Sequence, residues 1–102
     1  MTFKEAQIKA LELYWKIRPQ AQERNLDVSI QFSENGTSYG GVIDYSYESI
    51  DITVCYFTQN EDGSRKCNFI LRFFITNRST EADIADRLVE LENNLKKEGF
   101  VL

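Results

Sequence analysis

Histidine is absent from this chain, and proline, tryptophan and methionine occur once each. The missing imidazole removes the commonest general base, proton shuttle and metal ligand at neutral pH, so Ser-His, Cys-His and His-metal chemistries are excluded. The only cysteines are Cys55 and Cys67, too few for a zinc set. Gly36, Gly40, Gly41, Gly63 and Gly99 match neither G-x-G-x-x-G nor the P-loop spacing, so nucleotide phosphates have no visible cradle. No apolar run approaches the roughly 18 or more residues of a membrane span. The charged start Met1-Thr2-Phe3-Lys4-Glu5 lacks the cationic, apolar, small-residue order of a secretory signal. A cytoplasmic protein with no membrane contact, metal or cofactor is expected.

Basic clusters are lacking as well. Twelve basic residues stand against sixteen acidic ones, a net charge of −4. Neutralising phosphates takes a basic face, so direct nucleic-acid binding is not expected. The acidity reads first as a solvated surface, and beyond that as a match for a basic partner or an imitation of phosphate.

What is present is a globular composition. Apolar residues make up 42% and aromatics 13% of 102 residues, enough side chain to bury a core and too much for a disordered tail. One domain over residues 1–102 is expected, with no repeat or linker to divide it. Residues 3 to about 24 read as a helix. Phe3, Ala6, Ala10, Leu13, Tyr14, Ile17 and Ala21 share one side at helical spacing, and Ile8, Leu11 and Trp15 form an adjoining strip that predicts burial on more than one side. Pro19 predicts a kink or an end near Arg18. A second helix begins at the capping signal Ser79-Thr80 with Asp83, repeats Ile84, Leu88, Leu91 and Leu95, and stops at Gly99.

Between the helices, alternation predicts four antiparallel strands joined by two-residue turns at Asn35-Gly36, Glu48-Ser49 and Asp62-Gly63. That register sets Phe32 opposite Tyr39, Val28 opposite Ile43 and Leu26 opposite Tyr45. It also sets Tyr45 opposite Ile52, Tyr56 opposite Phe69, Val54 opposite Leu71, Ile52 opposite Phe73 and Ile50 opposite Ile75. The fold class is therefore α+β: a two-layer sandwich in the order αββββα, a meander with both helices on one face. The other face is open. Parity assigns Cys55 to the open face and Cys67 to the core, which predicts two reduced, unpaired thiols.

One enzymatic constellation is worth weighing. Asp27 and Asp44 become cross-strand neighbours on the open face, with Thr53 and Arg72 continuing the row, and two close carboxylates can act as acid and base or hold a hard cation. A flat face excludes little water, so this is the lesser reading and no catalytic residue is assigned.

The open face is also where a partner would bind. Val42, Cys55 and Ile70 line up across strands with Phe57 and Phe74 beside them, and Asp44, Asp51 and Arg72 form a polar rim. The apolar tail Phe100-Val101-Leu102 is the competing cover for that patch. Tyr39, Tyr45, Tyr47 and Tyr56 fall on the helix side as core rim, and the edge strands could accept a strand from another chain. In size, acidity and lack of catalytic groups the chain is similar to the small interaction proteins of phages and mobile elements and to immunity proteins, a likeness of composition alone.

The reading that follows is a non-enzymatic module that occludes or bridges a protein partner. Its anchors are Phe57, Ile70 and Phe74; Val42 completes the patch, and Asp44, Asp51 and Arg72 orient it. One form is an anti-defence inhibitor whose carboxylates imitate phosphates toward a nucleic-acid-binding protein, with steep salt dependence. The alternative is a homodimeric subunit built on the same patch.

Overall fold

The computed structural model describes residues 1–39 and 42–102, with side chains for 1–34 and 47–102. Its elements are α1 (Phe3–Glu23), β1 (Asp27–Tyr39), β2 (Val42–Gln59), β3 (Arg65–Thr76) and α2 (Glu81–Lys97). The class is α+β with N- and C-terminal helices, as expected. The sheet of the described residues has three antiparallel strands in the order β1-β2-β3. The fourth strand of the sequence reading is not found among the described residues.

Both helices are set by their ends and one buried stripe. Thr2 and Glu5 form a reciprocal capping box at α1, Glu5 N donating to Thr2 Oγ1 at 3.1 Å and Thr2 N to Glu5 Oε1 at 3.2 Å. Ala6, Ala10, Leu13, Ile17 and Ala21 are the buried residues of α1. Pro19 does not end the helix, which runs on to Glu23. Burial of Ala21 beyond the proline offsets the lost backbone bond, and Gln20 Nε2 adds a bond to Lys16 O at 3.0 Å. The helix stops where Asn25 takes a left-handed φ of 56° and Leu26 N reaches back to Ala21 O at 2.8 Å. Ile8, Leu11 and Trp15, expected to be buried, are instead exposed. In α2, Thr80 Oγ1 accepts from Asp83 N, Ile84, Leu88, Leu91 and Leu95 are buried, and Gly99 turns the chain out at φ 92°.

The sheet departs from the predicted register in two places. β1 runs straight through Asn35-Gly36 to Tyr39, which pairs with Val42, so Phe32 sits opposite Ile50, Ile30 opposite Ile52 and Val28 opposite Val54. Parity cannot separate these registers, because each puts Val28, Ile30 and Phe32 on the core face. The observed one needs no turn at the ill-suited Glu48-Ser49 pair and gains a longer continuous ladder. On the other side, Val54 opposes Leu71, Ile52 opposes Phe73 and Ile50 opposes Ile75, as predicted.

The second departure lies beyond Val54. There the register shifts by one, so that Cys55 opposes Phe69 and Phe57 opposes Cys67, with Ile70 the extra residue of a β-bulge. The β2–β3 turn explains the shift. Asp62-Gly63 is not a two-residue loop but part of Asn60–Ser64, closed by Asn60 N to Ser64 O at 2.7 Å, with Asp62 Oδ1 accepting from Ser64 N and Oγ and Gly63 at φ 87°. Those bonds hold Asp62 ionised below the usual carboxylate range. The loop fixes Gln59 opposite Arg65 while the core fixes Val54 opposite Leu71, and the bulge absorbs the mismatch of one.

One buried cluster joins all of this. It contains the α1 and α2 stripes, Ile50, Ile52 and Val54 of the central strand, Leu71, Phe73 and Ile75 of β3, and Phe100. Both helices thus pack on the same sheet face, and Lys9 pairs with Glu92 between them at 3.5 Å. The bulge makes a sharp prediction on neighbouring phenylalanines of β3. Phe73→Ala should cost about 3–5 kcal/mol in urea denaturation, whereas Phe69→Ala should cost under about 1 kcal/mol. Equal costs would mean that Phe69 lies in the core after all.

Candidate functional site

The helix-free face is defined by the residues that alternate with Ile50, Ile52 and Val54. On β2 these are Asp51, Thr53, Cys55 and Phe57, and across the observed ladders they meet Gln31, Ser29 and Asp27 of β1 and Phe74, Arg72, Phe69 and Cys67 of β3. Of the predicted contact residues, Asp51, Phe57, Arg72 and Phe74 are together on this face. Ile70 is not, because as the bulge residue it is half-buried and packs against the core cluster. The side chains of Val42 and Asp44 lie outside the described residues. Phe69 and Cys67, which unbroken parity sends to the core, join the face instead.

Three rings dominate the surface. Phe57, Phe69 and Phe74 are 41%, 59% and 42% exposed. The Arg65 guanidinium stacks over Phe57 at 4.2 Å from the ring centre. Between the rings, Arg72 Nη2 donates to Asp51 Oδ2 at 3.2 Å, and the hydroxyls of Ser29 and Thr53 are hydrogen-bonded to each other. Asp51 Oδ1 is buried without a hydrogen-bond partner among the described residues. A buried acceptor of that kind is costly. Ser29, Gln31, Asp51, Thr53, Phe69 and Arg72 line an open depression of about 240 Å³. It is too shallow to keep water from a reacting bond.

The C-terminal tail does not cover this face. Phe100 is buried in the core under Arg24, and Val101 exchanges two hydrogen bonds with the Gln20 side chain of α1, at 2.7 and 2.8 Å. The paired-carboxylate constellation also dissolves. Asp27 opposes Cys55, while Asp44 belongs to the far end of the hairpin beside the Thr37/Ser38 irregularity, so the two are not cross-strand neighbours. No group of three metal-ligating side chains occurs among the described residues, and none of their helices is long and apolar enough to cross a membrane.

Two further surfaces are open. The outward side of α1 carries Ile8 and Trp15, 55% and 57% exposed, with Arg18 over the Trp15 ring at 5.3 Å. Of the sheet edges, β3 is partly guarded by Arg87 of α2, whose Nη2 donates to Phe74 O at 3.2 Å. Tyr47 is half-buried and Tyr56 exposed, and the side chains of Tyr39 and Tyr45 lie outside the described residues.

The two cysteines share the helix-free face, against the parity reading that separated them. Both are free; Cys55 is buried and Cys67 exposed. Burial pushes the Cys55 thiol up to about 11, reinforced by its side-chain hydrogen bond with Cys67, the charge of Cys67 and the Asp27 carboxylate. Comparison with protein-family models, with curated proteins and with solved structures returns no match.

The raised Cys55 value has a stability consequence. In the unfolded chain the thiol ionises near 9.0, whereas the folded protein keeps it neutral to about 11. Stability from the neutral thiol is therefore whole below pH 9 and is lost as pH rises toward 11. In denaturant titrations from about pH 8 to about pH 11, wild type should lose more stability than Cys55→Ala. Parallel curves would show that the folded protein does not hold the thiol neutral.

Proposed function

We propose that this chain is a non-enzymatic protein-binding module that occludes or bridges a protein partner with its helix-free sheet face. The observation that carries the reading is the exposure of Phe57, Phe69 and Phe74 on one face, around the Asp51–Arg72 pair. Aromatic rings set in a polar rim are the composition of contact surfaces rather than of solvated sheet faces. A depression this open supports no reaction that needs water excluded, and the histidine-free chain has few groups for proton transfer.

The finer readings are separable. An inhibitor that imitates nucleic-acid phosphates toward a nucleic-acid-binding protein would lose affinity steeply with salt, whereas contact through the rings would be nearly indifferent. A homodimer built on the same face would show its doubled mass in light scattering.

The test compares Phe69→Asp with Trp15→Ser, each first confirmed as folded. Wild type and Trp15→Ser should crosslink the same partner band, or show the same dimer mass, and Phe69→Asp should lose it by at least about tenfold, the scale of one aromatic anchor. Loss in Trp15→Ser with retention in Phe69→Asp would move the contact to the outward side of α1 and overturn the assignment.

A further inference from the structure

The shifted register beyond Val54 places four side chains at the corners of a square on the helix-free face. Cys55 stands opposite Phe69 and Phe57 opposite Cys67, so the two rings occupy one diagonal and the two thiols the other. Diagonal neighbours on a flat antiparallel pair stand about 7–8 Å apart at Cα, just beyond the roughly 4.4–6.8 Å that a disulfide spans, so closure needs the strands to twist toward each other. Here the bulge at Ile70 lies directly beside the square, where bulges add the local twist that shortens one diagonal, and Cys67 is among the groups that hold the Cys55 thiol neutral.

We propose that Cys55 and Cys67 form an intramolecular dithiol–disulfide couple that closes across β2 and β3 on the helix-free face. The oxidant class is a low-molecular-weight disulfide, RSSR. Exposure sets the order of events, since Cys67 is open to solvent and Cys55 is buried beneath the face. The Cys67 thiolate attacks one sulfur of RSSR; that S–S bond breaks, RS⁻ leaves and takes a proton, and a mixed disulfide remains on Cys67. Cys55 then gives its proton to solvent and attacks Cys67 Sγ, expelling the second RS⁻, which is protonated in turn. Two protein thiols are oxidised by two electrons, and one RSSR becomes two RSH.

The closed bond would lie between the Phe57 and Phe69 rings and tie the loop-side ends of β2 and β3 together. The couple is therefore placed to change the surface that the rings present, but it stands on the shared face, the register and the bulge, whatever that face binds.

The test treats the reduced full chain with oxidised glutathione, quenches with acid, unfolds, alkylates and digests with trypsin, which cuts after Arg65 and Lys66 and so separates the two cysteines. Wild type should lose two hydrogens per monomer, resist alkylation at both positions and yield the linked Cys55 and Cys67 peptides. Cys55→Ser should stop at the glutathione adduct on Cys67, and Cys67→Ser should remain reduced. Accumulation of the Cys67 adduct in wild type with Cys55 still alkylated would overturn the couple, as would a Cys67–Cys67 crosslink between molecules.

Discussion

The period-two alternation of the central strand is the constraint on which the rest of this molecule depends. Ile50, Ile52 and Val54 are essentially inaccessible and sit under both helices, flanked by β1 on one side and β3 on the other. Once they are fixed, Leu71, Phe73 and Ile75 must share their face, and Asp51, Thr53, Arg72 and Phe74 must share the opposite one. Sliding β2 by one residue would set Asp51 against the leucines of α2. The helices enforce the alternation because one sheet face is all that two helices can cover, and the surplus apolar residues of the chain then have to appear elsewhere.

That constraint also decides what was legible in the sequence. The helices were, since Thr80 with Asp83, the Ile84–Leu95 stripe and Gly99 are local signals that later packing only confirms. The inner register of β2 and β3 was legible because both strands carry unbroken alternation through it. The pairing of β1 was not, because the expected register with Ile43 and the observed one with Val54 both put Val28, Ile30 and Phe32 on the core face, and the choice between them lies in turn and ladder energetics. The bulge was illegible for a different reason. Phe69-Ile70-Leu71 is a continuous apolar run, so either parity suits it, and only the competing demands of the Asn60–Ser64 loop and the core reveal which residue is left over.

The site inherits that error. Asp51, Phe57, Arg72 and Phe74 follow from alternation that the bulge does not disturb, whereas Ile70 exchanges roles with Phe69, and Cys67 crosses to join Cys55. The missed signal was the five-residue spacing between Gln59 and Arg65 in a turn whose Asp-Gly pair invites a two-residue hairpin. A loop longer by an odd number of residues must be balanced by a bulge if the core register is to hold. The strip of Ile8 and Trp15 on α1 was misread in the opposite direction, since periodicity reports that residues share a face but not whether anything covers it.

The size of the aromatic surface constrains what it can do. Exposed to the extents found, the three phenylalanines offer roughly 280 Å² of ring area, whose removal from water is worth about 7 kcal/mol. Association of two bodies forfeits about 4–15 kcal/mol of translational and rotational freedom, so the rings alone leave little surplus. A contact made only through them would be weak. A stable complex has to draw on the neighbouring polar groups: the Arg72 guanidinium with its Asp51 Oδ2 partner and the Ser29–Thr53 hydroxyl pair lie between the rings, where a covering molecule would exclude water from them. Those same groups would then supply the selectivity, because a partner that covers the rings without hydrogen-bonding to Arg72 or to the hydroxyl pair takes water from them and replaces it with nothing.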